Sequence, residues 1–161
     1  VPTDPEDLRL RHAQADAWLA LHRVHGGIRE VAREGLQAEG LTDITPAQAD
    51  ALMVLFQRRA PLTARQLAAE LGLSEVTVGR FLKAMEANGW VARTPDPRDA
   101  RARLLSPTPK ARAALPAFIR VSNGVLDGVF AGFSREETEA FTDLVRRVRD
   151  NLATAGASQG G

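Results

Sequence analysis

A chain of 161 residues, 44% apolar and 25% charged, is long enough for one domain with its own core and too short for two independent ones. The absence of cysteine excludes disulfides, thiolate metal sites and thiol redox sensing. No apolar run approaches the roughly 18 residues of a membrane span, and the acidic start Val1-Pro2-Thr3-Asp4-Pro5-Glu6 is unlike a secretory signal, so a cytoplasmic location with no membrane partner is expected.

The net charge of +1 hides a segregation. Residues 58–112 hold eleven Lys/Arg against five acids, and the rest of the chain holds ten against fifteen. A basic middle between acidic ends is the footprint of a polyanion-binding face, although a solvated charge run gives the same count.

In chain order, residues 1–6, with two prolines and two acids, read as a loose arm. From Asp7 to about Glu39 the spacing of Leu21, Val24, Ile28, Val31 and Gly35 or Leu36 predicts one long helix. A bend is allowed at Gly26-Gly27, where each glycine costs about 1 kcal/mol relative to alanine. A helix of that length exceeds what one small module can cover, which implies a second chain. Thr45-Pro46-Ala47-Gln48 is a capping box with proline at the first helical position, opening a core helix with Ala49, Leu52, Met53, Leu55 and Phe56 that ends near Arg59. Thr63-Ala64-Arg65-Gln66 is a second box, followed by a short helix with Leu67, Ala68 and Leu71 inward and Gly72 as its left-handed stop. Ser74 caps the next helix, to Asn88. Its buried stripe is Val78, Phe81 or Leu82, and Met85, and its outer face carries Glu75, Val76, Gly79, Arg80 and Lys83.

Two strands come next, Trp90–Thr94 and Ala102–Ser106, with pairing expected to fail at Pro95 and Pro97. A helix from Lys110 or Ala111 to about Ala131 carries Leu115, Phe118, Ile119, Leu126, Val129 and Phe130, with Pro116 early in it. Gly124, Gly128 and Gly132 form a stripe that suits either close helix approach or a locally weak helix. Ser134-Arg135-Glu136-Glu137 is a third capping box, opening a last helix with Phe141, Leu144, Val145, Val148 and Leu152, and residues 154–161 read as a disordered tail.

Helix, tight turn, helix and a two-stranded arginine-rich ribbon over residues 63–106 spell a winged helix-turn-helix. The expected fold is mainly α with a small β-wing, the module flanked by N- and C-terminal helices. The run Leu67-Ala68-Ala69-Glu70-Leu71-Gly72-Leu73-Ser74, then Thr77-Val78, Arg80, Glu86 and Gly89, then Asp96-Pro97-Arg98-Asp99-Ala100-Arg101 followed by Ser106 and Thr108, resembles a MarR-type transcriptional regulator. The resemblance covers roughly residues 15–152, and its most specific part is the wing motif Asp-x-Arg, Asp99-Ala100-Arg101. It implies a single MarR-like domain over 1–161, with dimerisation helices at 7–39 and 110–153 and a DNA-binding module at 45–106. It further implies a homodimer on palindromic double-stranded DNA, with Arg101 in the minor groove and Asp99 orienting the wing. The chain departs from the family at Ala100, Pro107, Pro109 and Ala111, which bears on where the following helix starts.

Residue chemistry supplies the candidate contacts. Arginine suits a narrow minor groove because a guanidinium is weakly hydrated. Ser74 and Thr77 sit where a helix N-terminus meets phosphate, Val76 suits a thymine methyl, and Arg80 or Lys83 suits guanine. A phosphate contact or an internal ion pair is the alternative for Arg80. Glu75 is unfavourable beside phosphate unless it accepts from a cytosine amine or orients Arg80. Thr63, Arg65, Arg98 and Arg103 complete the DNA set. The resemblance also implies a repressor released by a small aromatic or anionic effector, with Trp18, His22, Asp50, Arg80 and Arg93 as lining residues. Trp/Asp/Arg/Arg sets of this kind occur in urate-responsive relatives, while Trp18 also reads as core or interface. His22 and His25 at i, i+3 make only a weak metal pair, and no catalytic constellation is found, so neither enzyme, metal nor cofactor is expected. The alternative function is a winged-helix protein–protein module without DNA binding.

Overall fold

The computed structural model describes residues 4–58 and 60–157. The elements run α1 (Pro5–Ala38), α2 (Pro46–Gln57), β1 (Leu62–Thr63), α3 (Ala64–Leu71), α4 (Glu75–Ala87), β2 (Val91–Asp96), β3 (Asp99–Pro107), α5 (Pro109–Val129) and α6 (Arg135–Ala157). The chain divides into two compact units, Val1–Val125 and Leu126–Gly161.

Local chemistry sets the helix ends. Asp4 caps α1, its carboxylate accepting the Glu6 N–H at 3.0 Å with Pro5 at the first turn. The helix therefore starts two residues before Asp7, and residues 4–6 are no loose arm, while residues 1–3 lie outside the described residues. It passes through Gly26-Gly27 unbroken. Of its 34 residues only Leu36 is buried. At Thr45 and at Thr63 both halves of the capping box form, with Gln48 and Gln66 respectively. α2 stops at Gln57, and Arg59, where its end was expected, lies outside the described residues. Gly72 has φ +63°, and the Leu73 N–H to Ala68 carbonyl bond of 3.0 Å completes a Schellman end for α3. Ser74 then caps α4 by accepting the Thr77 N–H at 3.2 Å.

The ribbon is a three-stranded antiparallel sheet, ordered β1-β3-β2, rather than a two-stranded one. β1 pairs Leu62 with Leu105 and Thr63 with Leu104. Two residues after Pro61 are too few to show alternation, so no periodicity marks them as a strand. β2 and β3 also reach further than expected, leaving only Pro97 and Arg98 as the turn between the paired Asp96 and Asp99. Pro95 does not end the pairing. It lies opposite Arg103 with a register irregularity at Pro95/Asp96, and β2 is an edge strand, where a missing N–H is tolerated.

The core of the first unit is Leu52, Leu67, Val78, Leu82, Met85, Trp90 and Leu105, with Leu36, Ala111 and Phe118 around them. Phe118 meets Trp90 edge to face at 5.6 Å. α5 begins at Pro109, where Thr108 Oγ1 accepts the Ala111 N–H (3.2 Å) and donates to the Gly89 carbonyl (2.6 Å). Pro116 sits inside α5 without ending it. Among the described residues of the single chain nothing approaches the glycine stripe closely: a Cβ on Gly124 or Gly128 would meet nothing within 4 Å, and Gly132 takes φ +79°. The close approach is at Gly35, where a Cβ would lie 3.0 Å from Val121 Cγ1 and so press α1 against α5.

In the second unit, Ser134 and Glu137 form the third capping box (Glu137 N to Ser134 Oγ 3.2 Å, Ser134 N to Glu137 Oε2 2.8 Å). Phe130 packs against Phe133 and Phe141. α6 extends to Ala157, so residues 154–157 are helical rather than tail, and 158–161 lie outside the described residues. Among the described residues no helix is long and apolar enough to cross a membrane.

Truncating the fully buried Leu82 to alanine should cost about 2–5 kcal/mol in urea unfolding. Val76→Ala, at a residue 68% exposed on the other face of the same helix, should change stability by no more than about 0.5 kcal/mol.

Candidate nucleic-acid interface

α4 presents its outer face by elimination. Val78, Leu82 and Met85 are fully buried, which turns Glu75, Val76, Arg80 and Lys83 to solvent. Ser74 Oγ lies 2.9 Å from Thr77 Oγ1 and accepts the Thr77 N–H, so both hydroxyls sit at the helix start. Neither Arg80 nor Lys83 has an ion pair among the described residues. Among the described residues, then, the internal ion pair considered for Arg80 is not formed.

The wing is shaped by its two aspartates. Asp96 Oδ1 accepts the Arg98 N–H at 2.8 Å and Asp99 Oδ1 accepts the Arg101 N–H at 2.9 Å. Each carboxylate thus fixes backbone two residues ahead, the Asx geometry that tight turns favour, and leaves the Arg98, Arg101 and Arg103 side chains exposed. Where β2, β3 and the start of α3 meet, a concavity of about 520 Å³ opens. Thr63, Arg65, Asp99, Arg101 and Arg103, all singled out from sequence, line it together with Arg93. Arg93 Nε is held 2.8 Å from Glu86 Oε2, a pairing between β2 and α4 that sequence reading missed because it spans a turn.

The residues expected to line an effector site fall into separate pairings in the single chain. His22 Nδ1 lies 3.0 Å from the Trp18 carbonyl oxygen and the two rings meet at 4.3 Å, with Trp18 59% exposed. The Asp50 carboxyl is raised above its ordinary pKa by desolvation, against the opposing pull of Arg29 and then His25. Arg93 belongs to Glu86, and Arg80 projects from α4. Arg29 and His25 were not singled out as partners of Asp50, since no local spacing links α1 to α2.

The sequence pattern of the MarR family matches residues 42–102. An HTH-type transcriptional regulator of Bacillus subtilis, YybA, is 26% identical over 110 residues, covering 68% of this chain and 73% of its own. The chain also resembles the crystal structure of a probable transcriptional regulator from Pseudomonas aeruginosa (25% identity, TM-score 0.71, 81% of this chain and 94% of that one). It shares its fold with CouR, a transcriptional repressor bound to a 23-mer DNA duplex (24% identity, TM-score 0.69, 81% and 89%).

Asp50 gives a check on the α1–α2 electrostatics. A carboxyl whose pKa is raised on folding favours the folded state when protonated, and that contribution is lost as pH rises through the raised pKa. Asp50→Asn should therefore melt higher than the parent at pH 7, and the difference should shrink on acidification towards about pH 4, followed by thermal midpoints across that range.

Proposed function

We propose that this chain, a DNA-binding transcriptional regulator of the MarR family rather than an enzyme, works as a homodimeric repressor on a palindromic operator and is released by a small aromatic or anionic ligand. The observation that carries the DNA-reading part is selective pairing of charge. Arg65, Arg80, Lys83, Arg98, Arg101 and Arg103 are all exposed and make no ion pair among the described residues, while Arg93 and Lys110 of the same region are tied to Glu86 and Asp43. Cations left free in this way can displace the counterions of a duplex. The DNA-bound state of CouR, a protein of the same fold, supports this reading.

The roles derive from placement. The Ser74 and Thr77 end of α4 suits a backbone phosphate, Val76 a thymine methyl, and Arg80 or Lys83 a guanine edge. Arg101, held at the wing through the Asp99 turn, is assigned to the minor groove, with Thr63, Arg65, Arg98 and Arg103 on phosphates. Glu75, exposed in the first turn of the same helix, is assigned to orienting Arg80 or to a cytosine amine.

Homodimerisation is supported by the apolar residues the chain leaves exposed. Leu8, Leu10, Leu19, Leu21 and Val24 on α1, and Leu144, Val145, Val148 and Leu152 on α6, are more than an isolated chain exposes without a partner. The dimerisation segments are 7–39 and 110–153, flanking the DNA-binding module at 45–106. The effector site is assigned to Trp18, His22, Asp50, Arg80 and Arg93, completed by a second copy.

Arg101→Ala should cost roughly 1–3 kcal/mol of duplex affinity at fixed salt with the melting temperature unchanged. Equal affinity of variant and parent would instead favour a winged-helix module that binds protein. Sedimentation at micromolar concentration should give a dimer of the 17.4 kDa chain, and a stable monomer would remove the roles given to the flanking helices.

A further inference from the structure

We propose that Lys110 is a positioning residue for duplex recognition: without touching DNA it fixes the C-terminal end of α4, and with it the angle at which Arg80 and Lys83 are presented to base edges. This rests on the duplex-binding reading given above. α4 has no basic residue in its last turn, so nothing of its own meets the partial negative charge of its C-terminal carbonyls. Lys110 supplies the missing charge from α5, its Nζ lying 2.8 Å from the carbonyl oxygen of the C-cap residue Asn88.

The same ammonium is held from two other sides. It donates to Asp43 Oδ2 at 2.6 Å and stands 4.1 Å over the Trp90 ring. An ammonium has three N–H donors, and with these three partners none is left for a phosphate. Asp43 in turn accepts from Asn88 Nδ2 through its backbone carbonyl at 2.8 Å, which closes a ring of three residues about the helix end. Trp90 depends on this support. Its indole Nε1 is buried with no hydrogen-bond partner among the described residues, so the orientation of the ring is left to packing, to Lys110 above it and to Phe118 at 5.6 Å. Thr108, two residues before Lys110, donates to the Gly89 carbonyl at 2.6 Å and fixes the turn that follows the helix.

Burial of Val78, Leu82 and Met85 decides which face of α4 points outward, but apolar contacts are non-directional and resist a small roll weakly. A roll of about 10° moves side-chain ends on the outer face by roughly 1 Å, whereas a bidentate base contact needs placement to about 0.5 Å. Directional bonds at the helix end therefore decide how well the bases are read. Arg93 ties Glu86 to β2, and Lys110 ties the C-cap to α5 and to the approach to α2.

The test uses the full chain and two probes, the duplex that the parent selects from a random-sequence pool and a random duplex of equal length. The readouts are the ratio of the two affinities, which cancels changes in overall charge, and the slope of affinity on potassium chloride. Lys110→Met should lower the ratio about tenfold with the slope unchanged, Asp43→Asn should lower it about threefold, and Lys110→Arg should stay within about twofold of the parent. In Lys110→Met the indole N–H resonance of Trp90 should move while that of Trp18 stays. The parent's ratio in a folded Lys110→Met, or in Asp43→Asn on its exposed loop where the first variant does not fold, overturns the inference. So does an unmoved Trp90 resonance in Lys110→Met, or a slope reduced by about one, which makes Lys110 a phosphate contact. If no duplex is enriched and Arg101→Ala binds as the parent does, the duplex reading fails and takes this inference with it. If Arg101→Ala weakens a selected duplex while Lys110→Met keeps the parent's ratio, this inference alone fails.

Discussion

With Val78, Leu82 and Met85 fully buried, α4 can face only one way. Rotating it by a single residue, about 100°, would expose much of that stripe and bury charged Arg80 or Lys83, which no small adjustment offsets. The set of residues available to a ligand descends from this constraint. Glu75, Val76, Arg80 and Lys83 are presented because the other face of the helix is committed to Leu52, Leu67, Trp90 and Leu105.

The wing obeys a different economy. Its side chains contribute little to folding, since exposed ion pairs are worth between nothing and about 1 kcal/mol each. Leaving Arg98, Arg101 and Arg103 unpaired therefore sacrifices little stability. The wing needs a fixed backbone, and Asp96 and Asp99 supply it through short bonds to N–H groups two residues on. Asp99 also sets an apparent paradox aside, since an acid beside three arginines weakens the local field yet fixes the direction from which Arg101 leaves the strand. Position is favoured over charge at that residue.

How much of this was legible in sequence depended on the range of the interaction. The capping boxes at Thr45, Thr63 and Ser134 and the left-handed Gly72 involve partners within a few residues, and each formed where the spelling placed it. The stripe of α4 was equally readable, with Leu82 rather than Phe81 as its fully buried member. β1 was not readable, because its pairing with β3 joins residues about forty apart and its two residues carry no period. Pro95 misled because a proline's missing N–H matters only on a bonded edge, and strand order is a tertiary fact. In the candidate site, the arginines were visible from charge segregation and the wing motif. The concavity they line, the Glu86–Arg93 bond and the charges bearing on Asp50 required the fold.

At its far end the reading helix α4 is joined to α5 through a shared set of contacts. Trp90 donates its backbone N–H to the Met85 carbonyl at 2.8 Å, and its ring lies 4.1 Å beneath Lys110 Nζ. That ammonium also reaches Asp43 Oδ2 at 2.6 Å and the Asn88 carbonyl at 2.8 Å, while Asn88 Nδ2 donates to the Asp43 carbonyl at 2.8 Å. The approach to α2, the C-cap of α4 and the first turn of α5 thus share one cation. Taken singly, a partly exposed pair and a cation–π contact are each worth about 1 kcal/mol or less. Together they remove the rotational freedom that a lone Gly89 turn at φ +73° would leave between α4 and α5. The end of α4 and the first turn of α5 are thus joined through Lys110 and the core residue Trp90.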